Sequence, residues 1–83
     1  MRNKALIKFP YGLDLASSYT GSGSLILSFG QRDLISGNFK IARFSYPEIR
    51  LIENTGFTDD EIVRFYRLAE IFGPGLFTYY KEI

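Results

Sequence analysis

Phe44-Ser45-Tyr46-Pro47-Glu48-Ile49 and Phe57-Thr58-Asp59-Asp60-Glu61-Ile62 share one pattern thirteen residues apart: Phe, a hydroxyl residue, two spacers, Glu, Ile. Each reads as a helix start. The hydroxyl caps the amide three residues on, the Glu reaches back to the cap's own amide, and the Phe staples onto the Ile. Pro47 falls in the first turn, where a missing N–H costs nothing. The pattern predicts one helix over 46–55, closed by Gly56, and a second over 59–72, closed by Gly73-Pro74-Gly75. At helical spacing Ile62, Phe65, Tyr66, Leu68, Ala69 and Phe72 form one apolar stripe. Asp60, Arg64, Arg67 and Glu70 form the opposite face, interrupted by Val63 and Ile71. The tail, Leu76 to Ile83, fits two readings. Phe77-Thr78-Tyr79-Tyr80 favours a strand by propensity, while Leu76, Tyr79, Tyr80 and Ile83 share a helical face; a strand is the reading adopted.

Upstream of these starts the period is two. Lys4 to Phe9 reads as a strand, with Ala5, Ile7 and Phe9 on one face. Pro10 ends it, and residues 10–24 (PYGLDLASSYTGSGS) read as a long, turn-rich loop of the kind that is often functional. Ser24 to Phe29 is the next strand. Gly30-Gln31 allows a turn or a continuation, Leu34 and Ile35 follow, and Ser36-Gly37-Asn38 signals a hairpin into the strand Phe39 to Phe44. The expected fold class is therefore α+β: a small antiparallel N-terminal sheet of three or four strands packed on a C-terminal helix-turn-helix pair. Its 83 residues make one domain, 1–83, since this length builds a single core.

Composition removes most chemistry. The chain has no Cys and no His. No disulfide framework, zinc knuckle or thiol nucleophile is available. The commonest general base near neutral pH and the commonest transition-metal ligand are missing as well. Asp59, Asp60 and Glu61 are accounted for by a helix N-terminus, where acids meet the dipole favourably. Gly21-Ser22-Gly23-Ser24 lacks the lysine and the following helix of a phosphate loop. The expectation is no catalysis and no cofactor. The apolar runs Ala5-Leu6-Ile7 and Leu25-Ile26-Leu27 are far below signal or membrane-span length, so a cytoplasmic protein with no membrane partner is expected.

The whole-chain charge of +1 hides a split. Residues 1–45 carry Arg2, Lys4, Lys8, Arg32, Lys40 and Arg43 against Asp14 and Asp33, a balance of +4. Residues 46–83 carry Arg50, Arg64, Arg67 and Lys81 against Glu48, Glu53, Asp59, Asp60, Glu61, Glu70 and Glu82, a balance of −3. Such an asymmetry speaks to partners and not to fold. Two helical patterns bear on residues 46–72. A DNA-reading helix-turn-helix would place Thr58-Asp59-Asp60-Glu61 in the major groove, where phosphates call for cations. The Thr55-Gly56-Phe57 turn resembles the one joining the first two helices of ubiquitin-associated-type domains. That likeness is read as shared capping physics, and no binding residues are carried over from it.

The leading expectation is a small non-catalytic protein-binding module, a regulator or inhibitor of a larger protein or complex, of the kind that mobile elements often encode. Its candidate contacts are Tyr11, Tyr19, Tyr79 and Tyr80, since tyrosine outside a core is typical interface material, together with Val63 and Ile71. A second copy of the chain is one candidate partner. The alternative is a nucleic-acid-binding regulator using Lys8, Arg32, Lys40 and Arg43 of the sheet half with Arg64 and Arg67. It requires the sheet cations to converge on one face beside exposed aromatics.

Overall fold

The second of the two starts forms as expected. The Glu61 N–H donates to Thr58 Oγ1 at 3.2 Å, the Thr58 N–H donates to Glu61 Oε1 at 2.9 Å, and the Ile62 N–H donates to the Thr58 carbonyl at 2.9 Å. This reciprocal cap begins helix α1 (Asp59–Lys81). A Thr58→Ala variant loses the cap and is expected to lower stability by about 1 kcal/mol, read as a shift of the denaturation midpoint. An unshifted midpoint would show that the cap contributes nothing. The computed structural model describes residues 5–81; Arg2, Lys4, Glu82 and Ile83, used above, lie outside them.

The helix does not stop at Gly73-Pro74-Gly75, and the tail is not a strand. α1 runs straight through to Lys81 with Pro74 inside it. A proline in a helix interior costs about 3 kcal/mol. Against this, Leu76, Phe77 and Tyr80 pack onto the sheet only if the helix continues. Each such side chain contributes roughly 1.5–3 kcal/mol when fully buried, so burial wins. Gly73 makes the close approach possible: a Cβ there would stand 2.2 Å from Cε2 of Tyr46.

The first start is not a helix. Ser45 donates from its hydroxyl to the Glu48 carbonyl, and its N–H donates to the Arg50 carbonyl at 2.9 Å. Residues 46–50 therefore close a hairpin whose Tyr46–Pro47 peptide is cis. The chain returns as β5 (Leu51–Thr55) beside β4 (Phe39–Tyr46). The capping pattern was present, but a cap contributes about 1 kcal/mol. Phe44, its would-be staple, is instead fully buried in the sheet with its ring edge-on to Phe29 at 5.8 Å, and that burial outweighs the cap. The helix-turn-helix pair is thus corrected to a strand, a turn and one helix, and the likeness to ubiquitin-associated-type domains goes with it. Asn54 closes the turn by accepting from the Phe57 N–H at 3.1 Å and donating to the Phe57 carbonyl at 3.0 Å. Gly56 supplies the required φ of +100°.

The sheet has five strands among the described residues, in the order β1 (Ala5–Lys8), β2 (Leu13–Tyr19), β3 (Leu25–Arg32), β4 and β5, all antiparallel. This corrects the expected three or four. The extra strands are β5 and β2, which lies inside the segment read as a loop. β2 alternates, but its inward series is Leu13, Leu15, Ser17, Tyr19, and the serine breaks the apolar period. Ser17 is buried because Tyr80, 63 residues away, donates from its hydroxyl to the Ser17 carbonyl at 2.9 Å. β3 runs through Gly30, over which the Phe39 ring lies so closely that a Cβ would stand 2.7 Å from its Cζ.

One face of the sheet carries the core. Leu15, Leu25, Leu27, Phe29, Ala42 and Phe44 meet Phe65, Ala69 and Tyr80 of α1 and Phe57 before it. Phe29 stacks on Phe65 at 4.7 Å, and Phe57 meets Phe65 edge-on at 4.7 Å. A helix is about 10 Å across, whereas five strands span roughly 19 Å. α1 reaches Phe9, just past β1, through Phe72 and leaves every residue of β5 exposed.

Candidate functional site

The alternation of β-strands decides where the sheet cations point. Register sets Lys8, Arg32 and Arg43 on the uncovered face, with Lys40 on the helix side, its Nζ 5.0 Å above the Phe57 ring. Lys8 faces Asp14 at 3.7 Å, Arg43 is ion-paired with Glu53, and Arg32 donates to the Gly37 carbonyl at 3.2 Å. Arg64 and Arg67 lie on the exposed surface of α1, across the sheet from Arg43. The six cations do not form one stripe. Two exposed aromatics lie near the sheet cations: Phe39, which is seated on Gly30, and Tyr11, which shares a groove with Arg32 and Lys40. Among the described residues no group of His, Cys, Asp or Glu is arranged to hold a metal ion.

The tyrosines expected at an interface divide. Tyr80 is buried on the sheet-facing side of α1, and Tyr19 is half-buried and stacked on it at 6.0 Å. Both belong to the core because the tail is helical and turns that face inward. Tyr79 is on the exposed side. Tyr11 is 90% exposed and Ile71 68%, while Val63 is 54% exposed. The helical tail runs on along the sheet and does not fold back over Ile71. An Ile71→Asp variant is therefore expected to keep its melting temperature, since the charge stays in water. A collapsed melting temperature would move this residue into the core. Val63 also borders an open cleft of about 430 Å³ formed with Ile62, Tyr66, Arg67 and Glu70, on the flank of α1 whose Tyr66 meets Phe44.

A further exposed apolar surface lies at one end of the sheet. The β3–β4 turn, 33–38, holds Leu34 at 88% and Ile35 at 98% exposure. It is an ordered turn: the Asp33 N–H donates to the Asn38 carbonyl and the Gly37 N–H to the Asp33 carbonyl, each at 2.7 Å. The Ile35 N–H donates to Asp33 Oδ1 at 3.0 Å, and the Asn38 N–H to Ser36 Oγ at 3.2 Å. The hydrogen bond from the Ile35 amide, with others from Ser36, holds the Asp33 carboxyl below its ordinary value. Beside this turn the 3₁₀ turn Pro10–Gly12 places Tyr11 at φ +65°, and Gln31 Nε2 donates to the Tyr11 carbonyl at 3.0 Å.

Leu34 and Ile35 were missed as site residues. In the sequence they stand just ahead of the hairpin signal, with Asp33 before them and Ser36-Gly37-Asn38 after them, all turn residues. Two aliphatics enclosed by such residues must sit at a tip, and that signal was legible. Among the described residues no helix is long and apolar enough to cross a membrane. No protein-family model, no curated protein and no solved structure matches this chain.

Proposed function

We propose that this chain is a small non-catalytic protein-binding module, a regulator or inhibitor of a larger protein. The observation that carries the reading is that large apolar side chains stand in water on hydrogen-bonded elements. Leu34, Ile35 and Tyr11 are held outward by ordered turns, and Val63 and Ile71 by a capped helix. Keeping such groups in water forgoes roughly 1.5–3 kcal/mol for each one that burial would shelter. Contiguous exposed apolar surface of this kind marks an interaction site. Tyr11, Val63, Ile71 and Tyr79 remain contact candidates, and a second copy of the chain remains one candidate partner for the helix face. A cytoplasmic setting is part of the proposal and rests on the sequence expectation alone.

The test is capture from native lysate on the full chain, with and without nuclease. A protein retained after nuclease treatment, saturably and at physiological salt, is the expected result. Material that nuclease removes, with an affinity falling steeply as salt rises, would move the chain to the nucleic-acid alternative.

A further inference from the structure

We propose that the sheet face not covered by α1 is a self-association surface, and that its occupant is a second copy of this chain turned over about β3. The proposal goes beyond the protein-binding reading and does not depend on it. A sheet face left to water reads polar along its strands. On this one the middle strand offers Ile26, Ser28 and Gly30, the residues that alternate with buried Leu25, Leu27 and Phe29. Register sets Ala16 beside Ser28 and Ile41 beside Gly30. The centre of the face is therefore short or aliphatic, and uncharged.

The charges flank this centre, and their order decides the occupant. On one side Lys8 is outermost, on β1, and Asp14 lies inside it on β2, 3.7 Å away. On the other side Glu53 is outermost, on β5, and Arg43 lies inside it on β4, ion-paired with it. The order of sign is thus reversed across β3. A two-fold axis along β3 carries β1 over the β5 of the second copy and β2 over its β4. Lys8 then meets Glu53 of the second copy, and Asp14 meets its Arg43. Each pair stands about 7 Å apart along the strands, which the long Lys and Arg side chains span, and the axis repeats both contacts. A second copy carries this complementary order by construction. Arg32, at the end of β3, meets its own counterpart at the rim, where salt screens the pair.

The area agrees with a weak dimer. At about 3.3 Å by 4.8 Å for each residue, the five strands present a face of roughly 500 Å². Two such faces bury about 1,000 Å² in all, the lower bound for a specific contact. Packed sheets keep their strand directions within about 30° and lie about 10 Å apart. Short side chains along β3 let two faces reach that spacing.

Sedimentation equilibrium of the full chain, in a concentration series up to about 1 mM, reads the association. Wild type is expected to pass from monomer to dimer, and to do so more weakly as salt is added. Lys8→Glu with Asp14→Lys keeps the intrachain pair and the net charge but reverses the order on one side. Arg43→Glu with Glu53→Arg does the same on the other. Each double variant is expected to weaken its own dimer at least about tenfold, because like charges now meet. The two variants mixed are expected to regain wild-type affinity, because their orders are complementary again. Ser28→Arg should abolish the dimer and keep the melting temperature of the dilute monomer. A wild type that stays monomeric throughout would overturn the proposal. So would a dimer untouched by Ser28→Arg and by both swaps but lost with Ile71→Asp, which would move the contact to α1. A mixture that associates no better than its components would overturn the axis along β3. A monomer that binds a single-stranded oligonucleotide through this face, and loses it with Ser28→Glu, would assign the face to nucleic acid and overturn the proposal. Lysate capture plays no part in these outcomes, so the protein-binding reading fails or stands separately.

Discussion

Phe29→Ala is expected to cost about 3–5 kcal/mol of stability. Phe29 is fully buried, stacked face to face on Phe65 at 4.7 Å and met edge-on by Phe44 at 5.8 Å. Its removal opens a cavity between sheet and helix that neither neighbour fills, since Phe65 is also held by Phe57 and Phe44 by the β-ladder. A domain of 83 residues has in total roughly 4–12 kcal/mol of stability at the usual value per residue, so this one truncation removes a large share of it. Equilibrium denaturation followed by circular dichroism checks the expectation. A loss under about 1 kcal/mol would mean that α1 does not pack on β3 as described. Phe39→Ala, on the uncovered face, should cost far less, because its ring is mostly in water and shelters little beyond Gly30.

The second large effect concerns Gly73. In an ordinary helix Gly→Ala stabilises by roughly 0.5–1 kcal/mol. Here the new Cβ would stand 2.2 Å from Cε2 of Tyr46 and 2.6 Å from Cδ2, and Tyr46 is backed by Phe77 at 5.7 Å. Overpacking of this kind costs roughly 1–3 kcal/mol, so Gly73→Ala is expected to destabilise by about 1–2 kcal/mol once the helix gain is subtracted. The sign should reverse when Tyr46 is shortened to alanine, because the three atoms nearest the new Cβ, all in the Tyr46 ring, are then gone and the helix gain dominates. The double-mutant cycle isolates the contact. A destabilisation that persists unchanged in the Tyr46→Ala background would show that Gly73 serves the backbone near Pro74 and not the approach of α1 to β4.

These two residues also mark where local reading works and where it stops. Thr58 and Glu61 were legible because their interaction is local. The two groups are three residues apart, and no distant part of the chain competes for them. The same motif at Ser45 and Glu48 failed because Phe44, next to it, had a larger claim on the core of the sheet. Gly73-Pro74-Gly75 read as a stop because helix propensity counts only near neighbours, and the contacts that carry α1 through it come from Tyr46, Ser17 and Tyr19 on other elements. β2 was invisible for the same reason. Ser17 looks like a loop residue until Tyr80 arrives to bond it. Tyr11 was singled out from sequence and stands exposed, whereas Tyr19 and Tyr80 could not be told from it by residue type.

The sequence by itself determined the α+β class, the hairpin at Ser36-Gly37-Asn38, the start of α1, and the lack of Cys and His chemistry. All of these rest on composition or on groups within a few residues of one another. Only the tertiary structure decided that the first capping pattern becomes a hairpin, that the helix passes a proline, that a serine-rich segment is a strand, and that the sheet cations fall on opposite sides. Each of those turned on a contact between residues far apart in the chain, whose burial outweighs a local preference of about 1 kcal/mol.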